Sequence, residues 1–520
     1  MKNAIGIELP EYIEGYGEVE AFKGAWKKLE NEWMDSTRVA PANKAKMPHS
    51  SKMRGNLKEA ILLSNPKDGM TVSFHHHLRG GDGVLIPTLM ILKDMGIKDI
   101  TLASSSLTSA HEELIPLIKD GTVTKIWSSG IRGKLGETIS RGYLKYPAVI
   151  HSHGGRARAI RTGKLNIDLA IIAASASDKE GNATGAVGPS AFGSIGYAAI
   201  DAKYATQVIV VTDNIVDYPC LPMSIRQSYV DHVVNVEKIG DANKIASGTT
   251  RITKSPMDLR LAELAAYAIE HSGYFEEGFS FQVGAGGASL AVARFIRETM
   301  KKKNIKGSFM LGGVTSYVVE MLEEGLFNSV FDVQSFDAAV SKSLAQNTHH
   351  IEIPSTLYAN PFNCGCMTNK LDIVVLGALE VDVNFNVNVI TGSEGNIRGA
   401  SGGHSDTASG AKLTVVVAPS FRGRIPIIKE KINNVVTPGE SVDLLVTERG
   451  ICVNPNHTGL EEKLKKSGLM IKDIKTLAIE VQDITGIPRQ IKFKDKIVGI
   501  IEYRDGTVID LIHEIDENEA

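Results

Sequence analysis

Six of the residues from 392 to 410 are glycine, and among them stand Glu394, Arg398, Ser401, His404 and Asp406. Residues without a Cβ let a backbone turn sharply and let a ligand approach its N–H groups. The stretch lies between two short apolar, β-branched runs, 372–381 and 412–418. A polar loop between buried strands is where open α/β sheets carry their chemistry, although the same glycines would serve a plain crossover. His75, His76, His77 and Arg79 follow another apolar run, 70–74. Arginine pairs carboxylates through two donors, and histidine is a switchable donor. On an extended strand side chains alternate, so either His75 and His77 share a face or His76 points inward alone. No carboxylate or cysteine stands at usable local spacing to complete a metal site, so none is expected. His151, His153, Arg156 and Arg158 form a second cluster of the same kind. Gly284-Ala285-Gly286-Gly287 follows a strand pattern and opens a helix pattern, which leaves N–H groups free and adds the helix dipole. Each cluster also reads as a solvated or tight turn.

These residues need a frame, and the rest of the chain supplies an α/β one. Its 520 residues exceed a single core. With 57 basic and 60 acidic residues the net charge is −3, which offers no basic surface to nucleic acid. No apolar run is long enough to cross a bilayer, and the N-terminal stretch lacks an apolar signal core, so a cytoplasmic protein without a membrane partner is expected. Cys220, Cys364, Cys366 and Cys452 read as free thiols. Residues 1–66 read as an N-terminal extension with a helix over 18–33, packing on the body or reaching a partner. The plan of 71–105, strand, Gly-rich turn, helix, strand, returns at 279–313. KLNIDLAIIA at 164 is matched by KLDIVVLGAL at 370, and AKYATQVIVVT at 202 by AKLTVVVAP at 411. Three matches in one order predict two tandem copies of an open α/β domain, 67–250 and 251–520, joined near 239–255.

GSEGNIRGASGGHSD followed by AKLTVVV, with the earlier SFHHHLRGGD, closely resembles the alpha subunits of bacterial citrate lyase. The resemblance covers nearly the whole chain. It implies two tandem, related open α/β domains of the CoA-transferase (NagB/RpiA-like) type. It also implies an acyl exchange, in which citrate displaces the acetyl group of an acyl-carrier-protein thioester to give citryl-carrier and acetate. Citrate and the acetyl thioester would be the substrates. The lyase (beta) and acyl-carrier (gamma) subunits would be partners in an oligomeric complex. No tightly bound cofactor is implied, since CoA or the CoA-like arm of the carrier is itself substrate.

Such an exchange builds negative charge on a carbonyl oxygen, which backbone N–H groups can stabilise. The resemblance gives that role to Gly284, Ala285 and Gly286 and to Gly402 and Gly403, with His404 as donor and Asp406 orienting it or merely capping the next helix. His75, His76, His77 and Arg79 would meet citrate; Thr315, Ser316, Glu394, Arg398 and Ser401 would contact substrate. One departure stands out. Many CoA-transferases use a glutamate as nucleophile just past the strand matching 308–311, and here that place reads GGVTSYVVE. Glu320, Glu380 and Glu394 are the other candidates. Direct attack by a citrate carboxylate is therefore expected. A covalent transferase or acyl-CoA hydrolase using Glu394 and a CoA-binding scaffold are the alternatives.

Overall fold

The computed structural model describes residues 1–30, 38–245, 252–284, 286–487 and 491–516. Runs such as QVIVVT, LAIIAA and LTVVV form strands Gln207–Thr212, Leu169–Ala174 and Leu413–Val417, the last two buried along their whole length and the first in all but Gln207. Strands of this kind belong inside a parallel sheet covered on both faces. Two large sheets result. In the first, Thr71–Phe74 lies centrally. Ile100–Ser104, Val123–Ser128 and Ala148–Ile150 step away on one side, and Leu169–Ala174, Gln207–Thr212 and His232–Asn235 on the other. The second sheet centres on Phe281–Val283, flanked by Gly307–Val314, Phe327–Ser335 and His350–Glu352, and by Ile373–Gly377, Leu413–Val417 and Leu444–Thr447. Counted in chain order, both have the strand order 4-3-2-1-5-6-7, with all seven parallel. Each therefore reverses direction between its first and fifth strands, the place where open α/β sheets leave a crevice. The stretches matched in the sequence occupy the same positions in the two orders.

The ends of the chain depart from expectation. Residues 493–515 fall within the span assigned to the second copy, yet Phe493–Glu502 and Val508–Ile515 form an antiparallel hairpin that extends the first sheet beside Ala148–Ile150. Ile500, Val508 and Leu511 on this hairpin bury Leu9, Ile13 and Val19, and Asn3 donates to the Ile509 carbonyl at 2.8 Å. The N-terminal segment thus packs on the body. Its expected helix is absent among the described residues, which run through short strands and turns up to residue 30; the remainder of 18–33 lies outside them. The expected junction becomes a short helix, Ala242–Ile245, before residues outside the description, and the next helix is Pro256–His271, capped by Ser255. Among the described residues no helix is long and apolar enough to cross a membrane.

The sheets meet through the loops at the C-terminal ends of their strands. Ser194 N donates to Ser335 Oγ at 2.9 Å, Ile195 N to Glu352 Oε1 at 2.7 Å, and Ser355 N to the Gly196 carbonyl at 2.9 Å. Gly130 bridges Ala400, and a Cβ on Gly130 would lie 2.2 Å from that of Ala400, so this crossing requires glycine.

Candidate active site

Both sheets face a cleft of about 410 Å³. His76, Arg79, Ser106, Thr108, Ser129, Arg132, His153 and Tyr197 come from the first; Gln282–Gly284, Gly286, Gly313, Gln334, Phe336, Tyr358, Gly377, Ala400, Gly402, Gly403 and His404 come from the second. Among the described residues none that lines the cleft is acidic.

His76 is the histidine of the triple run that reaches the cleft, because the strand ends at Phe74 and a 3-10 turn follows. Ser105 Oγ lies 2.6 Å from its Nδ1 and accepts from its backbone N–H at 3.0 Å; because Gln334 Oε1 beside Nε2 can only accept, the neutral ring carries its proton on Nε2 and Nδ1 accepts from the hydroxyl. Nε2–H then donates to Gln334 Oε1 at 3.1 Å, across to the second sheet. Burial holds His76 well below the usual imidazole range, with His153 adding to it and both Arg79 and Arg132 close enough to contribute. Burial, with Arg156 and Arg132, holds His153 down to about 3. Neutral rings stacked with Tyr197 are the outcome. His75 and His77 lie behind, their Nδ1 atoms 3.0 Å apart, with His75 Nε2 donating to the Ala173 carbonyl at 3.0 Å.

Charge comes from two arginines. Arg79 packs over the Phe336 ring at 4.2 Å and donates to the carbonyls of Ser335 and Phe336, and burial pulls its guanidinium down to about 10. Its φ of +52° turns the side chain out of the 3-10 run. Arg132 is exposed into the cleft. Neither has a carboxylate within ion-pair distance among the described residues.

Backbone donors complete the walls. Gly284 N–H is spent on the Val375 carbonyl at 2.8 Å, whereas Gly286 begins the helix Gly287–Lys303, whose first amides lack intrahelical partners. Ala285 lies outside the described residues. Opposite, Gly402 (φ +53°) offers its carbonyl to His153 N at 2.8 Å, and Gly403 lies against Tyr358, where a Cβ would come within 2.5 Å of Oη. His404 starts the helix His404–Gly410 and lines the cleft, yet both nitrogens are committed: Nε2–H donates to the Gly377 carbonyl at 2.9 Å, and Nδ1 accepts from Thr437 Oγ1 at 2.7 Å. Burial holds it down to about 4. It braces the loop. Two buried polar atoms on the lining residues, His153 Nδ1 and Gln282 Oε1, have no hydrogen-bond partner among the described residues.

Several expected contacts are not made in this geometry. Asp406 does not orient His404; it accepts from Ser152 Oγ at 2.8 Å and Gly154 N at 2.9 Å, holding the start of helix His153–Thr162. Burial raises it to about 6 despite Arg504, 3.8 Å away. Ser401 is buried and tied through its backbone to the Ser129 carbonyl at 2.7 Å. Thr315 is the buried residue before helix Ser316–Glu323, and Ser316 is exposed with its N–H on Asp337; neither lines the cleft. Glu394 and Arg398 pair with each other at 2.7 Å on the surface. The candidate nucleophiles are likewise elsewhere. Glu320 is exposed and pairs Arg297 at 2.9 Å, and Glu380 is buried against Lys429, Asn388 and Ser393. Sequence reasoning missed Arg132, Ser129, Tyr197, Gln282, Gln334 and Tyr358. They are ordinary residues spread over loops, two strands and a short helix, and only the docking of the two sheets assembles them.

Residues 50–515 match the family model described as citrate lyase, alpha subunit. The chain belongs to that family. It is 48% identical over 473 residues to the citrate lyase alpha chain of Escherichia coli K12, covering 91% of this chain and 93% of that one. A solved alpha subunit of citrate lyase from Streptococcus mutans, in complex with citrate, shares 49% identity and superposes with a TM-score of 0.95 over 99% of this chain and 100% of that chain. A more distant solved structure, a 4-hydroxybutyrate CoA-transferase from Porphyromonas gingivalis, is 17% identical with a TM-score of 0.54, over 83% of this chain and 98% of its own; it shares the fold. The fold is thus α/β of the CoA-transferase type, and the family is the transferase component of a multi-subunit enzyme.

Proposed function

We propose that the cleft exchanges acetate for citrate on a thioester by direct transfer, with no acyl or thioester bond to the protein. The observation that carries the reading is the lining itself: cations and neutral donors without any carboxylate, while Glu320, Glu380 and Glu394 are each engaged elsewhere. The balance of the reaction fixes its steps. A citrate carboxylate oxygen attacks the acetyl carbon and the thiolate leaves, forming a mixed anhydride. The thiolate then attacks the citryl carbonyl carbon and acetate leaves. Each addition places charge on a carbonyl oxygen, and the first turn of Gly287–Lys303 supplies unspent N–H groups and the positive end of a helix. The protein's contribution is orientation, water exclusion and charge stabilisation.

The thioester is carried by CoA or by the CoA-like arm of an acyl carrier protein, lying along Gly284, Gly286, Gly402 and Gly403. A carrier (gamma) subunit and a lyase (beta) subunit that cleaves the citryl product are the partners, in an oligomeric, cytoplasmic complex. The test incubates the chain with acetyl-CoA, with and without citrate, followed by mass spectrometry of protein and small molecules. Citryl-CoA and acetate appear only with citrate, and the protein mass stays unchanged. Stoichiometric CoA on a glutamate overturns direct transfer; CoA release without citrate indicates a hydrolase.

A further inference from the structure

We infer that Arg132 is a specificity-determining residue, the counter-charge for one of the two citrate carboxylates that do not react. This rests on the citrate exchange proposed above. The argument is a charge match. A tricarboxylate that attacks through one carboxylate keeps two charged groups beside it throughout the reaction. In a cleft that excludes water, each needs a cation or several donors. The histidines supply no charge: His153 is buried and His76 half-buried, desolvation holds both below the usual imidazole range, and the partners of His76 fit its neutral ring. The lining holds no lysine, and its guanidiniums are Arg79 and Arg132. Two spectator carboxylates thus meet two arginines without carboxylate partners.

The two are held differently. Arg79 has fixed its fork on the carbonyls of Ser335 and Phe336. Among the described residues the side chain of Arg132 has no hydrogen-bond or ion-pair partner, and its guanidinium is open to the cleft. Its backbone is well placed, however. Ile131 N donates to the Gly399 carbonyl at 3.1 Å, and Gly130 bridges Ala400. A free side chain on a loop pinned to the opposite sheet suits an anchor that closes on an incoming anion. Acetate, the departing acid, has no second carboxylate and gains nothing from it. Arg132 therefore separates entering acid from leaving acid.

The test compares acceptors on wild type, Arg132→Gln and Arg132→Lys, using acetyl-CoA as donor. Citrate exchange is read as citryl-CoA formed. Monocarboxylate exchange is read as label entering acetyl-CoA from isotopic acetate. Loss of one charge-assisted contact lowers kcat/KM for citrate roughly 10- to 100-fold in Arg132→Gln. Acetate exchange falls at least tenfold less, and Arg132→Lys restores part of the citrate rate. Added methylguanidine raises citrate turnover by Arg132→Gln. Equal loss for both acids, or no change in their ratio, overturns the assignment. Wild type that makes no citryl-CoA while still exchanging acetate refutes the citrate reading itself, a result distinct from an unchanged ratio.

Discussion

Arg79 shows what a guanidinium does that an ammonium does not. It lies flat on Phe336 and bonds two carbonyls in the plane of its fork. Arg79→Lys keeps the charge and loses both the stacking and the paired geometry. A cost of about 1.5–3 kcal/mol is expected in kcat/KM for citrate, with KM for acetyl-CoA little moved. A two-substrate kinetic matrix reads the split; equal loss on both substrates would remove Arg79 as a citrate anchor. The histidines carry a second residue-scale expectation. His75 and His404 are held at about 4 and His153 at about 3 by burial, below the 6.5 of a free imidazole. A depressed folded value gives stability that is present above 6.5 and lost as pH falls toward 4. Asp406, raised to about 6, has the opposite sign, its contribution being full below 3.8 and lost as pH rises through 6. Asp201, Glu352, Asp382 and Asp510, the last raised to about 7, share the sign of Asp406, while His76, His77, His151 and His232 are depressed with the other three; among the described residues seven imidazoles oppose five carboxyls, so Tm should drop between pH 7 and pH 5. His404→Gln, which can still donate to Gly377, should flatten that slope; a Tm that rises on acidification would contradict the assignment.

At the scale of elements, the Gly402–Gly403 crossing has little slack. Gly403→Ala places a methyl 2.5 Å from Tyr358 Oη, the atom that accepts from Gln282 Nε2 at 2.9 Å. The expected cost is about 1–3 kcal/mol of stability, with a larger loss of turnover because Tyr358 and Gln282 both line the cleft. Tyr358→Phe in the same chain removes the clash with Oη and should recover Tm; failure to do so would place the strain elsewhere. The strands around this crossing were legible because buried parallel strands are continuous apolar runs, and LAIIAA and LTVVV admit few other readings. The glycines were legible as a loop, and the repeat order as two equivalent sheets. Roles of single side chains were not. Asp406 and His404 stand two apart in sequence, yet a helix start sends them to different partners. Thr315 and Ser316 looked available because nothing local occupies them, and only the tertiary path turns them away; Glu394 is taken by a local partner, Arg398, four residues on. Arg132, in the unremarkable IRGK, has no local signal at all.

Across the whole molecule, Arg504 joins what the chain order separates. It sits in the turn of the C-terminal hairpin, fully buried, and its guanidinium reaches Ser409 Oγ at 2.6 Å, Asn369 Oδ1 at 3.1 Å and the Ala359 carbonyl at 3.3 Å. Its Nε is 3.8 Å from Asp406, which in turn holds Ser152 and Gly154. Arg504→Met fills the volume but leaves Asp406 without its cation, at an expected cost of about 3–5 kcal/mol. Denaturant unfolding followed by near- and far-ultraviolet circular dichroism would measure it; a loss under 1 kcal/mol would mean the hairpin is held by its apolar contacts alone.

The same hairpin has a consequence for how the protein is made. Ala148–Ile150 is the outer parallel strand of the first sheet until Phe493–Glu502 pairs with it. On a ribosome, the 342 residues between Ile150 and Phe493 must be added first. At the usual rate of about 5–20 residues per second, that takes roughly 17–70 s. For that interval the nascent chain presents an open apolar strand edge, and Leu9, Ile13 and Val19 lack the hairpin residues that bury them. That face of the amino end, although translated first, is among the last parts to be covered.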